Sequence, residues 1–298
     1  MNATDTPKRT AVVTAGTAGI GLETALGLAA SGLAVTVVGR NAERGARAVE
    51  RINATAPAYP ARFLATDLAS LDAVRALAER IAADGPLAVL VNNVGAMFPD
   101  RRDSVDGIEA TFAVNHLSPY LLTELLLPAL RAGAPSRIVN VTSGAIGVAK
   151  RVFDTVEPPG GYYGFHWYGR AKLANLAYTL ELADRLDGSG VSVFAADPGG
   201  AATDMTDGTL NDPKIVSPGL RLIWPLVRRR FERSTSGPAS VAARPSVFAA
   251  TDGSLTGRTG VMVGPRAQPV APFRAATDPR VAEAVRRLSE HLAPLTAV

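Results

Sequence analysis

The chain has 298 residues, of which 47% are hydrophobic and 19% are charged. This composition excludes a largely disordered chain, and the length suits one α/β domain over residues 1–298. The absence of cysteine excludes disulfides, thiolate nucleophiles and cysteine metal sites. The polar start lacks an apolar signal segment, and no apolar run approaches the roughly 20 residues that span a bilayer. We therefore expect a cytoplasmic protein without a membrane anchor.

The net charge of +4 is small for a chain of this length. The arginine run Arg228–Arg230 has no aromatic stacking pattern beside it, so a solvated face is favoured over a nucleic-acid patch. The three histidines are dispersed and lack acidic partners at ligand spacing. We expect no nucleic-acid partner and no metal.

An apolar run over residues 10–14 leads into a glycine-rich turn and then into a helical pattern. Glycines in such a turn allow positive φ angles and let a phosphate approach the backbone, while the helix start favours negative charge. The alternative is a purely structural turn. The predicted phosphate cradle consists of Gly16, Thr17, Gly19, Ile20 and Gly21.

Further apolar runs alternate with helical patterns along the chain. Strands that are buried on both faces of a parallel sheet have this continuous apolar character. The pattern predicts a doubly wound α/β sheet with helices on both faces. The runs occupy residues 34–39, 61–66, 87–91, 137–142, 191–196 and 261–263.

Polar residues follow several of these strands, at the sheet edge where such folds bind ligands. Arg40 follows the second strand, where an acidic residue would select NAD and an arginine accommodates the extra phosphate of NADP; a surface role for Arg40 is the alternative. Asp67, followed by Leu68, either reaches the adenine amino group or only forms a turn. Asn93 and Gly95 suit a loop packed against a flat cofactor.

Three stretches depart from regular patterns. Pro119 interrupts the helical pattern of residues 104–130 and frees backbone carbonyls for water. Residues 145–167 form an irregular, aromatic-rich segment that suits a loop covering a site, ahead of a helix over residues 168–186. Residues 200–235 are either a substrate lid or a peripheral helix. Pro245 predicts a break in a helix over residues 236–250.

The ordered set of motifs resembles the short-chain dehydrogenase/reductase family over almost the whole chain. These motifs are the strand-end glycines, Asn92-Asn93-Val94-Gly95, Asn115, Ser143, Tyr168-Gly169-Arg170-Ala171-Lys172 and Pro198-Gly199. The tail Ser254–Val261 and the long segment before Tyr168 are most similar to the retinol-dehydrogenase-like branch. The resemblance implies a Rossmann-type three-layer sandwich whose seven-stranded parallel sheet has the order 3-2-1-4-5-6-7. It also adds Pro198, Gly199 and Thr203 to the cofactor-binding residues.

Tyr168 and Lys172 lie four residues apart and so share a helix face, although such pairs also arise by chance. An adjacent ammonium and an oxidised nicotinamide would lower the pKa of the tyrosine, which then exchanges a proton with a carbonyl or hydroxyl oxygen. Lys172 would also bind the nicotinamide ribose, and Ser143 would polarise the carbonyl. The resemblance implies that Asn115 holds a relay water. The structural alternatives are a turn at Ser143 and a helix irregularity at Asn115.

Three residues depart from the family pattern: Ala15 stands where a glycine is usual, Ala171 replaces a serine before the lysine, and Asp197 precedes Pro198-Gly199. We expect an NADP(H)-dependent carbonyl reductase that acts on a fairly large apolar ketone or aldehyde. The alternatives are a regulatory protein that binds NADP without turnover, and a cyclase or isomerase of the same fold. A homodimer and a monomer both remain open.

Overall fold

The computed structural model describes residues 8–56, 58–199, 215–226, 229 and 237–296. Eight strands form one sheet in the order β3-β2-β1-β4-β5-β6-β7-β8. The first seven strands are parallel and follow the predicted order. The strands are β1 Thr10–Thr14, β2 Ala34–Gly39, β3 Arg62–Ala65, β4 Val89–Asn92, β5 Ser136–Val141, β6 Val191–Ala196, β7 Val261–Gly264 and β8 Gln268–Val270.

The eighth strand was not predicted from the sequence. β8 is three residues long with a proline at its centre, and it pairs antiparallel to β7 at the edge of the sheet. A proline cannot donate to a strand ladder, so it is tolerated at such an edge but removes the usual sequence signal for a strand. The sheet therefore has seven parallel strands and one antiparallel edge strand.

Helices cover both faces of the sheet, as predicted. One apolar core includes Leu28 of α1, Ile52 of α2 and Ala249 of α9. The other includes residues of α3, α5, α6 and α10. The helices are α1 Gly19–Ala30, α2 Ala42–Thr55, α3 Leu71–Ala82, α4 Ala110–Phe112, α5 Ser118–Ala132, α6 Gly164–Arg185, α7 Pro218–Arg221, α8 Ala239–Ala242, α9 Arg244–Thr251 and α10 Pro279–Leu292.

The position of β1 determines where a ligand can bind. β1 pairs with β2 on one side and with β4 on the other, so the chain order reverses beside it. In doubly wound sheets the crevice at this reversal, beyond the carboxyl ends of the strands, is the ligand site. The predicted strand-end residues all lie at this edge.

Two of the predicted helix interruptions are confirmed. A π-helical turn, Ala113–Leu117, separates α4 from α5 just before Pro119. Helices α8 and α9 are separate pieces on either side of Ala243, next to Pro245. The start of α6 was predicted too late: the helix begins at Gly164 and therefore includes two of the aromatic residues assigned to the loop. In the parts of the chain that the structure describes, no helix is long and apolar enough to cross a membrane.

Candidate active site

The glycine turn adopts a conformation that the sequence alone left open. Ala15 itself has a left-handed backbone with a φ of 49°, as does Gly19 with a φ of 52°. Gly16 has no such angle and is instead packed closely, because an added Cβ would lie 2.8 Å from the Val13 carbonyl oxygen. Gly16 therefore does not take over the conformation expected of a glycine at position 15; Ala15 adopts it despite its side chain.

The turn leaves an open space at the start of α1. A Cβ on Gly21 would lie 2.2 Å from the Ala15 carbonyl oxygen, so only glycine allows this close approach. The N-cap residue Ala18 offers no capping side chain, and the first turn of α1 contains no acidic residue. A helix start without these groups leaves its N–H groups and positive dipole for an external anion. These residues fit the pyrophosphate of a dinucleotide.

Asn93 tethers the end of β4 to this turn. Its backbone N–H donates to the Thr14 hydroxyl over 3.0 Å, and its Nδ2 donates to the carbonyl oxygens of Thr14 and Ala15 over 3.2 and 3.4 Å. The side-chain amide thus holds the glycine turn in place. Sequence reasoning assigned Asn93 to the cofactor face, and in the structure its side-chain amide donates to backbone carbonyls of the glycine turn.

A cleft of about 660 Å³ extends from the glycine turn along the carboxyl ends of β1 to β4. Three arginines lie on it: Arg40, Arg44 and Arg102. The Arg102 guanidinium lies 3.3 Å from the Phe98 ring centroid. Arg102 was missed by sequence reasoning because it is far from Arg40 in the chain and follows no strand. Other lining residues include the predicted Thr17, Asp67, Leu68 and Gly95.

Asp67 forms the turn that the sequence offered as one of two alternatives, and it also lines the cleft. Its Oδ1 accepts a hydrogen bond from the Ala69 N–H over 3.0 Å, as expected of a turn residue. The residue is also exposed on the wall of the cleft. Its second carboxylate oxygen is therefore the atom that a ligand in the cleft would meet.

The proposed catalytic side chains meet at the carboxyl end of β5. Ser143 lies two residues after the end of β5, and Tyr168 and Lys172 lie on one face of α6. The Lys172 ammonium donates to the carbonyl oxygens of Val94 and Val141 over 2.9 and 3.0 Å. It lies 5.8 Å from the centroid of the Tyr168 ring. Two backbone acceptors thus fix the lysine beside the tyrosine.

Burial dominates the protonation of both groups. Burial is the main reason why the pKa of Tyr168 is raised to about 12. A hydrogen bond from Ser143 acts to lower this pKa, and the charge of Asp197 acts to raise it. Burial lowers the pKa of Lys172 to about 7. Desolvation is thus the largest cause of the shift in the pKa of Tyr168. At neutral pH the phenol therefore keeps its proton.

Asn115 lies in the π-helical turn and holds the loop after β4. Its Oδ1 accepts from the Ala96 N–H over 2.9 Å, and its Nδ2 donates to the carbonyl oxygens of Ala96 and Thr111 over 2.7 Å each. The side chain is thus engaged with the backbone. At the usual helical spacing the Asn115 carbonyl would face Pro119, which has no N–H to donate. That carbonyl is the atom suited to bind a relay water.

Asp197, which sequence reasoning noted only as a departure from the family, belongs to the site. It directly follows β6, and its Oδ1 accepts from the Gly199 N–H over 2.9 Å. This bond shapes the Asp197-Pro198-Gly199 turn. Burial raises the pKa of the Asp197 carboxyl. The sequence could have indicated this role, because Asp197 stands at the end of a predicted strand and directly precedes the predicted cofactor-binding residues Pro198 and Gly199.

An apolar cover lies over Tyr168. Ile215, Val216 and Trp224 are buried in one cluster with Tyr168 and Phe165. The Phe165 and Trp224 rings are 5.2 Å apart between centroids, with an edge-to-face tilt of 65°. Ile215, Val216 and Trp224 belong to the segment 200–235 that the sequence offered as a lid. Most of that segment, including Thr203 and Phe231, lies outside the described residues.

His166 attaches this cover to the body of the protein. Its Nδ1 bonds to the Val148 carbonyl oxygen over 2.8 Å, and its Nε2 accepts from the Ser217 N–H over 3.2 Å. Because a ring nitrogen facing a carbonyl must carry the proton, this arrangement requires the neutral ring with Nδ1 protonated. Burial lowers the pKa of His166, which favours that neutral form.

The remaining polar candidates take no part in this site. The Tyr162 hydroxyl bonds to the Thr111 hydroxyl over 2.9 Å and donates to the Phe98 carbonyl oxygen over 3.1 Å. His116 is buried against α10, where its Nε2 lies 2.7 Å from the Ser289 hydroxyl. Across the described ranges, no group of three histidines or carboxylates is arranged to hold a metal ion.

Comparison with known proteins identifies the family. The family model described as short chain dehydrogenase matches residues 9–214. The chain belongs to the short-chain dehydrogenase/reductase family. Within it, the chain lies in the retinol-dehydrogenase-like branch and is an oxidoreductase of CH–OH and C=O groups.

Three relatives illustrate the range of similarity. Mouse retinol dehydrogenase 12 is 36% identical over 232 residues, which cover 78% of this chain and 71% of the mouse protein. Mouse polyprenol dehydrogenase is 41% identical over 206 residues, 67% of this chain and 62% of that protein. A short chain dehydrogenase from Burkholderia cenocepacia J2315, solved in complex with NADP, superposes with a TM-score of 0.65 at 27% identity and covers 86% of this chain and 95% of its own.

Proposed function

We propose that the protein is an NADPH-dependent reductase that converts a bulky apolar ketone or aldehyde into an alcohol. The observation that carries this proposal is the buried trio at the carboxyl end of β5, in which Ser143 bonds to a protonated Tyr168 and Lys172 is fixed beside it. A phenol that keeps its proton at neutral pH is suited to act as an acid.

The preference for NADP rests on the charge of the cleft. Arg40 stands directly after β2, where the adenosine ribose is recognised in this fold, and Arg44 lies on the same wall. An arginine presents a rigid fork of donors that matches phosphate oxygens. The NADP complex of the Burkholderia relative is consistent with this preference.

The glycine turn, Arg40, Asp67 and the Pro198-Gly199 turn would hold the cofactor, which supplies the hydride when bound. The chain's own residues do the rest. Tyr168 donates its proton to the carbonyl oxygen, and Ser143 hydrogen-bonds the same oxygen as negative charge develops on it. Lys172 would donate to the ribose hydroxyls of the bound cofactor and, in its protonated form, would stabilise the phenolate that forms on Tyr168. Asn115 positions the loop after β4 and a water for proton return.

The apolar cover favours a large apolar substrate. Tyr168 is flanked by Phe165, Ile215, Val216 and Trp224, which offer carbon surface and few hydrogen-bond donors. Retinol and polyprenol, which appear in the names of two relatives, are apolar alcohols of this kind. We infer that the substrate is a long-chain or ring-bearing isoprenoid or lipid carbonyl.

The proposal is tested by incubating the protein with NADPH and a panel of carbonyls, with retinal as the apolar member and a short hydroxylated ketone as its polar counterpart. We expect NADPH consumption matched by alcohol formation, faster with retinal. NADPH binding without turnover of any carbonyl would point to a regulatory protein. A rearranged product formed without NADPH consumption would point to a cyclase or isomerase, and either result would overturn the proposal.

A further inference from the structure

His166 connects three parts of the active site through the two nitrogens of its ring. It lies on α6, two residues before Tyr168. Its Nδ1 bonds to the carbonyl oxygen of Val148, the last residue of the short turn that begins directly after Ser143. Its Nε2 accepts from the N–H of Ser217, which directly precedes α7. The ring therefore joins the catalytic helix, the turn after Ser143 and the segment that covers Tyr168.

The bond from Ser217 gives the cover something that its apolar packing does not. The cover residues Ile215, Val216 and Trp224 are buried in one cluster with Tyr168. Apolar packing is non-directional, whereas a hydrogen bond holds its two atoms within a narrow range of distance and angle. Ser217 stands between Val216 and the short helix that leads to Trp224. Fixing its N–H therefore fixes the register of the cover over the phenol.

Only the neutral ring can make both bonds. The Nδ1 proton faces the Val148 carbonyl oxygen, and the lone pair of Nε2 accepts from the Ser217 N–H. A protonated imidazole carries a proton on each nitrogen, so Nε2 would then point its own N–H at the N–H of Ser217. Protonation therefore breaks the bond to the cover and leaves the bond to Val148 intact.

The surroundings of the ring disfavour its charged form near neutral pH. Burial is the main reason why the pKa of His166 lies below 6.5, and the charge of Lys150 lowers it further, against the bond to Val148. No carboxylate of the described residues contributes to this pKa. Tyr163 presents a neutral ring 6.0 Å away, and on the cover side Arg221 donates to the Val216 carbonyl oxygen over 3.1 Å. The charged groups on both sides are thus cations.

We propose that His166 is a positioning residue that fixes the cover over Tyr168 and thereby sets the preference for bulky apolar carbonyls, and that protonation of its ring releases the cover. A bulky apolar substrate gains its binding from carbon surface held in one place, whereas a short polar ketone needs little of that surface. The inference rests on the proposed function, because it concerns which carbonyl the same site accepts.

Two substitutions separate the two hydrogen bonds of the ring. A glutamine amide oxygen can stand in for Nε2 and accept from Ser217 without titrating, whereas a shorter asparagine amide can replace Nδ1 at Val148 but does not reach Ser217. We expect His166→Gln to keep the wild-type KM for retinal at neutral pH and His166→Asn to raise it about fivefold. Turnover at saturation and the KM for a short ketone should not change. Thermal unfolding checks that both variants fold.

The pH dependence of the KM tests the release of the cover. Between about pH 7 and about pH 5 the wild-type KM for retinal should rise about fivefold, and that of His166→Gln should stay flat. Burial lowers the pKa of Lys172 to about 7, but this group titrates in both proteins, so the difference between them isolates His166. Equal profiles would overturn the proposal. If neither variant folds, a flat wild-type KM over this range refutes it.

Hydrogen exchange gives a readout that needs no turnover. The Ser217 amide should exchange about fivefold faster in His166→Asn than in His166→Gln at the same pH. Equal exchange in the two variants would show that His166 does not hold the cover, and faster exchange with an unchanged KM for retinal would refute its role in substrate preference. Absence of turnover with every carbonyl would overturn the proposed function instead, and the exchange comparison would still confirm or refute the hold of His166 on the cover.

Discussion

Ala15 has a strained backbone conformation in the glycine turn before α1. Its replacement by glycine gives a specific prediction about stability. The residue has a φ of 49°, in the left-handed region. A side chain in that region destabilises the folded protein by roughly 1–2 kcal/mol. Glycine removes this strain, but the greater conformational entropy that it gives the unfolded chain offsets roughly 0.5–1 kcal/mol of the gain. We expect Ala15→Gly to stabilise the protein by about 1 kcal/mol, or about 2 °C in Tm at this size.

The same substitution should affect cofactor binding. Ala15 lines the cleft, and its carbonyl oxygen already accepts from Asn93, so the change removes only a methyl group and leaves the backbone bonds intact. We expect NADPH to bind about threefold more tightly, equivalent to roughly 0.6 kcal/mol. Urea unfolding measures the stability and quenching of tryptophan fluorescence on NADPH titration measures the affinity.

Ala18→Gly is the matched control, because Ala18 lines the same cleft but has an extended backbone with a φ of −158°. No strain is relieved there, so this variant should be no more stable than the wild type. A loss of stability in Ala15→Gly would refute the argument from backbone strain. A gain in stability with unchanged NADPH affinity would refute the inference that the Ala15 methyl group lies against the bound cofactor.

Three further predictions concern the cleft, the core and the cover. Arg40→Ala should weaken NADPH binding about tenfold while leaving NADH binding nearly unchanged. The control is Arg47→Ala, which alters an exposed arginine paired with Glu43 over 4.0 Å. Equal losses of affinity for both cofactors in Arg40→Ala would contradict the assignment of Arg40 to the extra phosphate of NADPH. Burial lowers the pKa of His116 from 6.5 to about 3. As the pH is lowered below about 6.5, His116 of the unfolded chain is protonated before that of the folded chain. This group should therefore reduce the free energy of unfolding by about 1.4 kcal/mol for each unit of pH between these two values. His116→Gln should remove that part of the slope in unfolding experiments between these values, and an unchanged slope would show that His116 is not buried neutral. Trp224→Ala should raise the KM for retinal about tenfold and leave the KM for a small ketone unchanged, whereas equal increases would show a general loss of structure.

The sequence predicted the parallel sheet because its strands are buried on both faces and appear as continuous apolar runs. It also predicted the breaks at Pro119 and Pro245, since proline removes an amide donor wherever it stands. β8 escaped prediction because three residues with a central proline carry little pattern. Helix boundaries are similarly weak, so the aromatic start of α6 was taken for a loop.

The candidate site was less predictable than the fold. Strand-end residues such as Ser143 and Arg40 could be assigned because the topology brings strand ends together. Arg102 reaches the cleft through the loop after β4, and no local pattern shows where such a loop returns. The pKa of Tyr168 depends on how deeply Trp224 and its neighbours bury it, which is a property of tertiary packing alone. The sequence singled out Asn93 and Asn115 as positions, but only the structure shows which atoms they bind.

The central claim is that Tyr168 donates the proton in carbonyl reduction, and the rate of NADPH oxidation by Tyr168→Phe with a saturating carbonyl tests it most directly. Tyr163→Phe, a half-buried phenol on the same segment without a lysine four residues later, is the control. The account predicts that Tyr168→Phe loses about a thousandfold in turnover while its NADPH affinity stays within about twofold of the wild type, and that Tyr163→Phe stays active. Wild-type turnover in Tyr168→Phe would contradict it.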